Sequence, residues 1–203
     1  QENNGDYTLG LLATRRDYCG PIPRFIYASS AAVYGNEERD FTERLDVTPM
    51  NAYAKTKLKL DCLLQGLPSV YVLRFFNVWG YGETHKGNMK SVVSRAMEIK
   101  NGVFDIFKTG RPDIADGNQA RDFVHVDDVC KVIWHFITTE DSTGGLFNVG
   151  TGRATSFNEI ADARCLEKRY VEMPEAVKSQ YQYHTCADLS KLRDAGYTAS
   201  FTT

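Results

Sequence analysis

The sequence predicts an α/β protein with a parallel sheet whose two faces are covered by helices. Two observations support this fold class. Residues 24–76 have the pattern of a strand, a helix and a second strand, and that second strand, Val70–Phe76, is an almost continuous apolar run. Parallel strands are joined by crossover helices and are buried on both faces, so they lack the polar alternation of a half-exposed strand.

The first strand is predicted over Arg24–Ser30, directly after Pro21 and Pro23. These prolines end any helix before them, and residues 9–18 are the candidate for that helix. After a polar, charged loop, residues 51–65 are predicted to form a helix with one buried face and one solvated lysine face. Its apolar residues are Tyr53, Leu58, Leu60, Leu63 and Leu64.

The second half of the chain continues the alternation of elements. Residues 88–100 are predicted to form a helix, and the polar stretch 108–120 follows. Asp127 or Asp128 is predicted to cap the next helix, and a short strand is predicted over 146–149. Loops as long as 108–120 are usually functional or mobile in compact domains.

Composition limits the classes of partner. The 203 residues contain 24 Lys and Arg against 26 Asp and Glu, which gives a net charge of −2. This balance supplies no basic field for a phosphate backbone, so no nucleic acid is expected as a partner. No apolar stretch approaches the ~20 residues of a membrane helix, and the first residues are polar. We therefore expect no membrane association and a cytoplasmic location.

Cysteine and histidine form no metal or disulfide pattern. The five cysteines are widely spaced without a Cys-x-x-Cys pair, which is typical of reduced thiols. The four histidines are far apart and match no zinc-binding spacing. No metal site is expected.

Tyr53 and Lys57 are the first candidates for chemistry. Four residues apart on the predicted helix, they lie on one face about one turn from each other. A phenol is a poor base near neutral pH unless a cation stabilises its anion, and Lys57 could supply that cation. Ser30 ends the first strand, and α/β sheets bind ligands at the carboxyl ends of their strands. The alternatives are a surface tyrosine beside a solvated lysine, and a serine that satisfies a strand-end backbone group.

Four sequence blocks in order resemble the extended short-chain dehydrogenase/reductase family of nucleotide-sugar enzymes. They are Tyr27-Ala28-Ser29-Ser30-Ala31-Ala32-Val33-Tyr34-Gly35, Asn51-Ala52-Tyr53 through Lys57, Arg74-Phe75-Phe76-Asn77-Val78-Trp79-Gly80, and Arg121-Asp122-Phe123-Val124-His125-Val126. Within the family, residues 85–89, 147–154 and 187–189 with 195–197 are most similar to the branch that epimerises an ADP-linked heptose at C6. The resemblance implies a Rossmann-like, doubly wound sheet with a smaller C-terminal α/β region that binds substrate.

The resemblance also implies a chemistry. It implies bound NADP, with NAD as the alternative, that oxidises the sugar at C6 and returns the hydride to the other face. Tyr53 and Lys86 would be the two acid/base groups, Lys57 would hold the nicotinamide ribose, and Ser30 would orient the sugar oxygen. Tyr53, Lys57, Lys86 and Val78 would contact the cofactor. Lys86 has the alternative of an ordinary solvated lysine.

The implied substrate is an ADP-heptose, and an arginine is expected to bind its negatively charged diphosphate. Arg121 can grip phosphate oxygens as a fork. The resemblance adds other substrate contacts at Asn77, Asn88, Arg95, Phe107, Lys108, Thr109, Gly110 and Tyr181. Asn77 could instead be a turn residue, Phe107 a core aromatic and Tyr181 a surface aromatic.

The chain departs from the family pattern at its start. No glycine-rich turn for a cofactor pyrophosphate is present, so we expect an opening half of about 90 residues to be missing, at ~30 residues per βα unit. Residues 1–80 would be the remainder of the dinucleotide-binding domain, and residues 81–203 mainly the substrate-binding region, with 121–150 returning to the Rossmann sheet. A homo-oligomer is expected from the family. The alternatives are another nucleotide-sugar epimerase or dehydratase, or a nucleotide-sugar-binding fragment without redox activity.

Overall fold

Strands and helices alternate along most of the chain. The structure, a computed structural model, describes residues 7, 8, 10–14, 24–37, 41–100 and 102–202, without the side chain of Asn88. Of the helix predicted over 9–18, residues 10–14 are helical and the remainder lies outside the described residues. The later elements are, in order, β1 (Phe25–Ser30), α1 (Ala52–Leu64), β2 (Val70–Phe75), β3 (Asn77–Trp79), α2 (Val92–Glu98), β4 (Val103–Phe107), β5 (Ala120–His125), α3 (Val126–Thr138), β6 (Gly145–Val149), β7 (Ala154–Ser156), α4 (Phe157–Ala163), β8 (Glu167–Val171), α5 (Glu175–Lys178) and α6 (Ser190–Asp194).

The central sheet is parallel and has the strand order β1-β2-β6. Ser30 is in register with Phe75, and Phe75 with Val149, so the three strands end at one edge. Strand β2 lies in the middle and is buried over nearly all its length. The α/β fold class with a parallel sheet is therefore confirmed.

Helices cover both faces of this sheet. Tyr71 and Leu73 of β2 point to one face, where they join a core with Val132 and Phe136 of α3. Val70 and Val72 point to the opposite face and join Leu60 and Leu64 of α1. The continuous apolar run of β2 is explained by these two cores, because consecutive side chains of a strand point to opposite faces.

Helix α1 begins where the sequence predicts. The Ala54 N–H donates to Asn51 Oδ1 at 2.9 Å, so Asn51 caps the helix. The helix ends at Leu64, and the N–H of Gln65 donates to the Asp61 carbonyl at 2.9 Å. Tyr53 thus lies in the first turn, close to the carboxyl edge of the sheet.

A smaller region surrounds two further groups of strands. Strand β5 pairs in parallel with β3 and antiparallel with β7. Strands β4 and β8 form a parallel pair. Their core consists of residues from α2, α4, β4 and the turn before β8: Ala96, Phe104, Ile106, Ile160, Ala161 and Leu166. Of the stretch 121–150, β6 joins the central sheet, whereas β5 belongs to this second group.

Two predicted helix starts are wrong. The helix predicted over 88–100 is α2 (Val92–Glu98), preceded by a 3₁₀ stretch over Glu83–Met89. Gly87 has φ +53° within that stretch, and Ser91 caps α2 by accepting a hydrogen bond from the N–H of Ser94 at 3.1 Å. Helix α3 begins at Val126, and its cap is His125 rather than an aspartate.

Candidate active site

Lys57 links Tyr53 of α1 to strand β1, which ends at Ser30. Lys57 Nζ donates to the Ala28 carbonyl at 2.7 Å, which ties the middle of α1 to this strand. The same ammonium lies 5.7 Å from the ring centroid of Tyr53 and 4.8 Å from that of Tyr27. Burial lowers the pKa of Lys57, and the charge of Asp61 partly opposes this. The structure thus places Lys57 beside the Tyr53 ring and bonds it to Ala28, two residues before Ser30.

The Ser30 hydroxyl is oriented by the turn that follows β1. Its Oγ accepts a hydrogen bond from the N–H of Ala32 at 3.2 Å and caps the 3₁₀ turn Ala31–Tyr34. Because the oxygen is used as an acceptor, the hydroxyl hydrogen remains for donation to a ligand oxygen. Ser30 can therefore cap the turn after β1 and still donate a hydrogen bond to a ligand.

A cleft of about 430 Å³ opens beside the end of β2. It is lined by Phe76, Asn77, Val78, Glu83, Lys86, Met89, Lys90, Ser91, Val92, Arg121, Phe123, Phe157 and Tyr181. Five of the predicted site residues are in this set: Asn77, Val78, Lys86, Arg121 and Tyr181. Tyr53 is not among the described residues that line the cleft. The two predicted acid/base residues therefore belong to two groups, linked through the adjacent ends of β1 and β2, where Ser30 is paired with Phe75.

Arg121 is a buried cation at the wall of the cleft. It is 7% exposed, and Nη1 donates to the Ala120 carbonyl at 3.0 Å. Its guanidinium carbon lies 4.9 Å from the ring centroid of Tyr181. In the described part of the chain no carboxylate is within ion-pair distance of it. Burial therefore lowers the pKa of Arg121 to about 10, although Tyr181 opposes the shift. A buried charge without a partner favours an anionic ligand.

Aromatic rings extend this wall. The Tyr181 ring meets the Phe107 ring edge-on, with centroids 6.4 Å apart, and the Tyr183 ring at 5.1 Å. Burial raises the pKa of Tyr181, so its phenol stays neutral. The arrangement offers an apolar wall beside the cation of Arg121.

Lys86 lies on the 3₁₀ stretch at the mouth of the cleft, with 44% of its side chain exposed. Its Nζ is 3.4 Å from Oε2 of Glu83. Glu83 is buried and accepts hydrogen bonds from the Ser91 N–H at 2.8 Å and the Ser94 hydroxyl at 2.6 Å. Burial alone would raise the pKa of Glu83, but these hydrogen bonds outweigh it and hold the pKa at about 2. Glu83 is thus an anchored anion beside Lys86, and sequence reasoning missed it.

Residues 108–110 form part of the long polar loop. Lys108 Nζ pairs with Glu172 Oε1 at 2.6 Å, and this partner raises the pKa of Lys108. Thr109 is buried, and its N–H donates to Asp116 Oδ1 at 2.8 Å. Gly110 is exposed with φ +63°. In the structure Thr109 organises the loop, and Lys108 is engaged in a surface ion pair.

Of the other two predicted substrate contacts, the structure describes the side chain of Arg95 but not that of Asn88. Arg95 is exposed on α2 and is not among the described residues that line the cleft. The backbone of Asn88 lies in the 3₁₀ stretch, and its side chain lies outside the described residues.

Asp122 positions Arg121 and was also missed. It is fully buried, and accepts hydrogen bonds from the N–H groups of Thr151 at 2.7 Å, Gly152 at 2.9 Å and Ala187 at 3.0 Å. Burial raises the pKa of Asp122, and these donors oppose the shift. Because its two oxygens join two separate loops to β5, Asp122 fixes the backbone from which Arg121 projects. The sequence signal that could have identified Asp122 is an acidic residue inside a short strand.

A second cavity of about 500 Å³ lies beyond Glu83, and its walls include Trp79, Tyr81 and His125. None of its described lining residues is a predicted site residue. Over the described ranges, no three His, Cys, Asp or Glu side chains converge as a metal site would require. Within the same ranges, no helix has the length and apolar character needed to span a membrane.

The chain belongs to the NAD dependent epimerase/dehydratase family, whose sequence profile matches residues 1–150. Among curated relatives, it is 40% identical over 194 residues to an ADP-L-glycero-D-manno-heptose-6-epimerase of Nitratidesulfovibrio vulgaris, strain Hildenborough. That match covers 88% of this chain and 60% of the relative, so the chain spans about 60% of the length of the curated relatives it matches.

Solved structures give the same fold. The crystal structure of the Helicobacter pylori ADP-L-glycero-D-manno-heptose-6-epimerase superimposes with a TM-score of 0.75 at 29% identity, covering 96% of this chain and 60% of that one. MoeE5 in complex with UDP-glucuronic acid and NAD superimposes with a TM-score of 0.69 at 28% identity, covering 93% of this chain and 63% of that one. The Rossmann-type fold class is thereby confirmed.

Proposed function

We propose that this chain is part of an NADP-dependent enzyme that epimerises ADP-D-glycero-D-manno-heptose to ADP-L-glycero-D-manno-heptose by transient oxidation at C6. The product would be a precursor of the lipopolysaccharide core. The structural observation that carries the proposal is the cleft lined by Arg121, Lys86 and Asn77, in which Arg121 has no carboxylate partner among the described residues. The identity of 40% to a named epimerase supports the choice of sugar.

The diphosphate of the substrate would be held by Arg121. A guanidinium can donate two parallel hydrogen bonds to phosphate oxygens, and a buried one does so with little competition from water. Tyr181 and Phe107 would form the apolar wall next to the nucleotide, and Lys108, Thr109 and Gly110 would follow it along the loop. Asn77, Asn88 and Arg95 complete the proposed substrate contacts.

The residues present fit one end of a nicotinamide cofactor. Lys57 offers a partly buried ammonium, and Tyr53 offers a hydroxyl one turn away on the same helix, a donor pair that suits ribose oxygens. Val78 would supply an apolar contact, and Lys86 would face the cofactor from the cleft. The chemistry that a bound nicotinamide supplies is the reversible removal of a hydride from the sugar carbon. We propose NADP, with NAD as the alternative.

Proton transfer would be the work of this chain's own residues. A carbinol that loses a hydride must also lose its hydroxyl proton, and restoring the opposite face requires a second acid/base group. Tyr53, beside the ammonium of Lys57, would hold the proton on one face, and the amine of Lys86 would do so on the other. The Ser30 hydroxyl would donate to the sugar oxygen.

The organisation of the enzyme follows from these roles. We propose that residues 1–80 belong to the dinucleotide-binding domain and residues 81–203 mainly to the substrate-binding region, with 121–150 returning to the sheet. We further propose that the enzyme is a homo-oligomer of the cytoplasm.

The test is to incubate the protein with ADP-D-glycero-D-manno-heptose and either NADP or NAD, and to follow the C6 epimer by proton NMR. Turnover is expected, and Lys86→Met is expected to abolish it while binding of ADP persists. Lys59→Met changes an exposed lysine of α1 and serves as the matched control. Normal turnover by Lys86→Met would refute the two-base assignment.

Two observations favour other candidates. MoeE5 was solved with UDP-glucuronic acid and NAD, which favours a different nucleotide-sugar as the substrate. The buried Arg121 at the cleft would serve equally in a nucleotide-sugar-binding protein without redox activity. Turnover of a UDP-hexose would support the first candidate. Binding of ADP-heptose without turnover or released dinucleotide would support the second.

A further inference from the structure

One carboxylate and three cations are among the described residues that line the cleft. The carboxylate is Glu83, and the cations are Lys86, Lys90 and Arg121. Lys90 Nζ binds both carboxylate oxygens of Glu98, at 2.7 Å and 2.9 Å, so its charge is balanced by a residue outside the cleft lining. Arg121 and Lys86 are thus the cations left for a ligand, and only Lys86 lies beside Glu83.

Short hydrogen bonds fix the carboxylate of Glu83 to the start of α2. Oε1 accepts from the hydroxyls of Ser91 at 2.8 Å and Ser94 at 2.6 Å, and Oε2 accepts from the N–H of Ser91 at 2.8 Å. The contact from Lys86 Nζ to Oε2 is longer, at 3.4 Å. The ammonium can therefore move towards a bound ligand while three donors still satisfy the buried carboxylate.

The backbone that carries Lys86 has a glycine with positive φ on each side. Gly82 has φ +83° and Gly87 has φ +53°, and both Glu83 and Lys86 lie between them. The side chain of Lys86 is 44% exposed, whereas that of Glu83 is 8% exposed. Because residues three apart in a 3₁₀ helix lie above one another, the fixed carboxylate limits where this long, exposed side chain places its ammonium.

We propose that Glu83 is a positioning residue that acts through Lys86, holding its ammonium charged at the mouth of the cleft and away from the diphosphate of the substrate. The inference rests on the proposed function in giving Lys86 a proton to transfer. A nearby carboxylate favours the charged form of a lysine, and it competes with phosphate oxygens for the ammonium. Arg121 is thereby left to bind the diphosphate, and Lys86 to act as an acid/base group.

The first test measures the reactivity of the Lys86 amine without ligand, by competitive trace acetylation near neutral pH with mass-spectrometric detection. Glu83→Gln removes the charge at nearly constant volume, and the serine hydroxyls can accept from the new amide because they both donate and accept. The acetylation rate of Lys86 is expected to rise about two- to fivefold, the range that partly exposed ion pairs support. An unchanged rate would overturn the proposal.

Two lysines serve as controls in the same samples. Lys59 is exposed on α1, and Lys90 follows the 3₁₀ stretch and has its own partner, Glu98. Both are expected to keep their wild-type rates in Glu83→Gln. Rates that rise together at Lys86 and Lys90 would mean that the segment has loosened, and would overturn a role for the charge of Glu83.

Ser94→Ala separates the charge of Glu83 from its anchoring. This variant removes the 2.6 Å hydrogen bond and keeps the carboxylate. It is expected to lower the melting temperature while the acetylation rate of Lys86 stays at the wild-type value. A rise as large as that in Glu83→Gln would reduce Glu83 to a structural anchor.

A reciprocal measurement keeps the proposal testable if Glu83→Gln does not fold. Lys86 is partly exposed, so Lys86→Met is expected to fold. Two ionised groups that interact shift each other's titration, so loss of the ammonium should raise the midpoint of Glu83 by about 0.2–0.7 pH units. Carbon-13 NMR of the carboxyl carbon measures this midpoint, and Lys59→Met should leave it unchanged. A wild-type midpoint in Lys86→Met would overturn the proposal.

Turnover supplies a separate outcome. Glu83→Gln is expected to lower kcat for the heptose, with KM near the wild-type value or below it, because Arg121 is intact and Lys86 is free to reach the phosphates. A higher KM with an unchanged kcat would overturn the proposal. Faster labelling of Lys86 in a protein that never epimerises the heptose would support the link between Glu83 and Lys86 while rejecting the proposed function.

Discussion

Replacing Arg121 by Met is expected to weaken ADP binding while leaving the unliganded fold as stable as before, or more stable. Arg121 is buried, with the residue 7% exposed, and burial lowers its pKa to about 10. Relative to the ordinary pKa of a guanidinium, this lowering disfavours the charged form by about 3 kcal/mol at every pH below about 10. Met removes the charge and keeps apolar contact with Tyr181, so the free energy of unfolding should stay equal or rise by up to about 3 kcal/mol.

Ligand binding should respond in the opposite direction. Hydrogen bonds between charged groups contribute about 1.5–3 kcal/mol, so losing Arg121 should weaken ADP binding by about 10- to 150-fold. Titration calorimetry with ADP near neutral pH measures this change, and thermal melting without ligand measures stability. Arg121→Lys keeps the charge without the fork and should bind with intermediate affinity. Arg164→Met alters an exposed arginine at the end of α4 and should change neither quantity.

Either of two results would refute the reasoning on Arg121. Wild-type affinity of Arg121→Met for ADP would mean that the diphosphate does not bind this guanidinium. A markedly lower melting temperature of the unliganded variant would mean that Arg121 already has an anionic partner within the protein.

Three further predictions concern stability. Burial alone would raise the pKa of Glu83, but hydrogen bonds from Ser94 and Ser91 lower it from 4.5 to about 2. Its contribution to the free energy of unfolding is therefore present above about pH 4.5 and is lost as the pH falls through about 2. Melting of the wild type over this range should show that loss, and Glu83→Gln should lack it. Asn51→Ala removes the cap of α1 and should lower the free energy of unfolding by about 1 kcal/mol in urea titrations, and an unchanged value would deny the cap. Leu73→Ala empties a fully buried position and should cost about 2–5 kcal/mol in the same titrations, so a cost under about 1 kcal/mol would contradict the core described for β2.

The central sheet could be predicted from sequence because its signals are local. The apolar run of β2 and the capping Asn51 of α1 depend on neighbouring residues only. The start of α2 could not be placed, because the turn at Gly87 and the cap at Ser91 interrupt an otherwise helical pattern. Strand β5 carries buried Arg121 and Asp122, and it is stabilised by partners distant in sequence, which periodicity does not reveal.

Part of the candidate site could likewise be predicted from local sequence patterns, and part could not. The spacing of Tyr53 and Lys57 predicts one helix face, and the structure has both at the end of β1. Glu83 was missed because its hydrogen bonds form only after the chain turns back towards α2. The assignments of Tyr53 and Lys86 as paired acid/base groups stay predictions.

A crystal structure of the protein with ADP-D-glycero-D-manno-heptose would test the central claim most directly. It should have diphosphate oxygens within hydrogen-bond distance of Arg121, and C6 of the heptose between the Tyr53 hydroxyl and the Lys86 amine. A nucleotide bound away from Arg121, or a sugar in reach of only one of those two groups, would contradict the account.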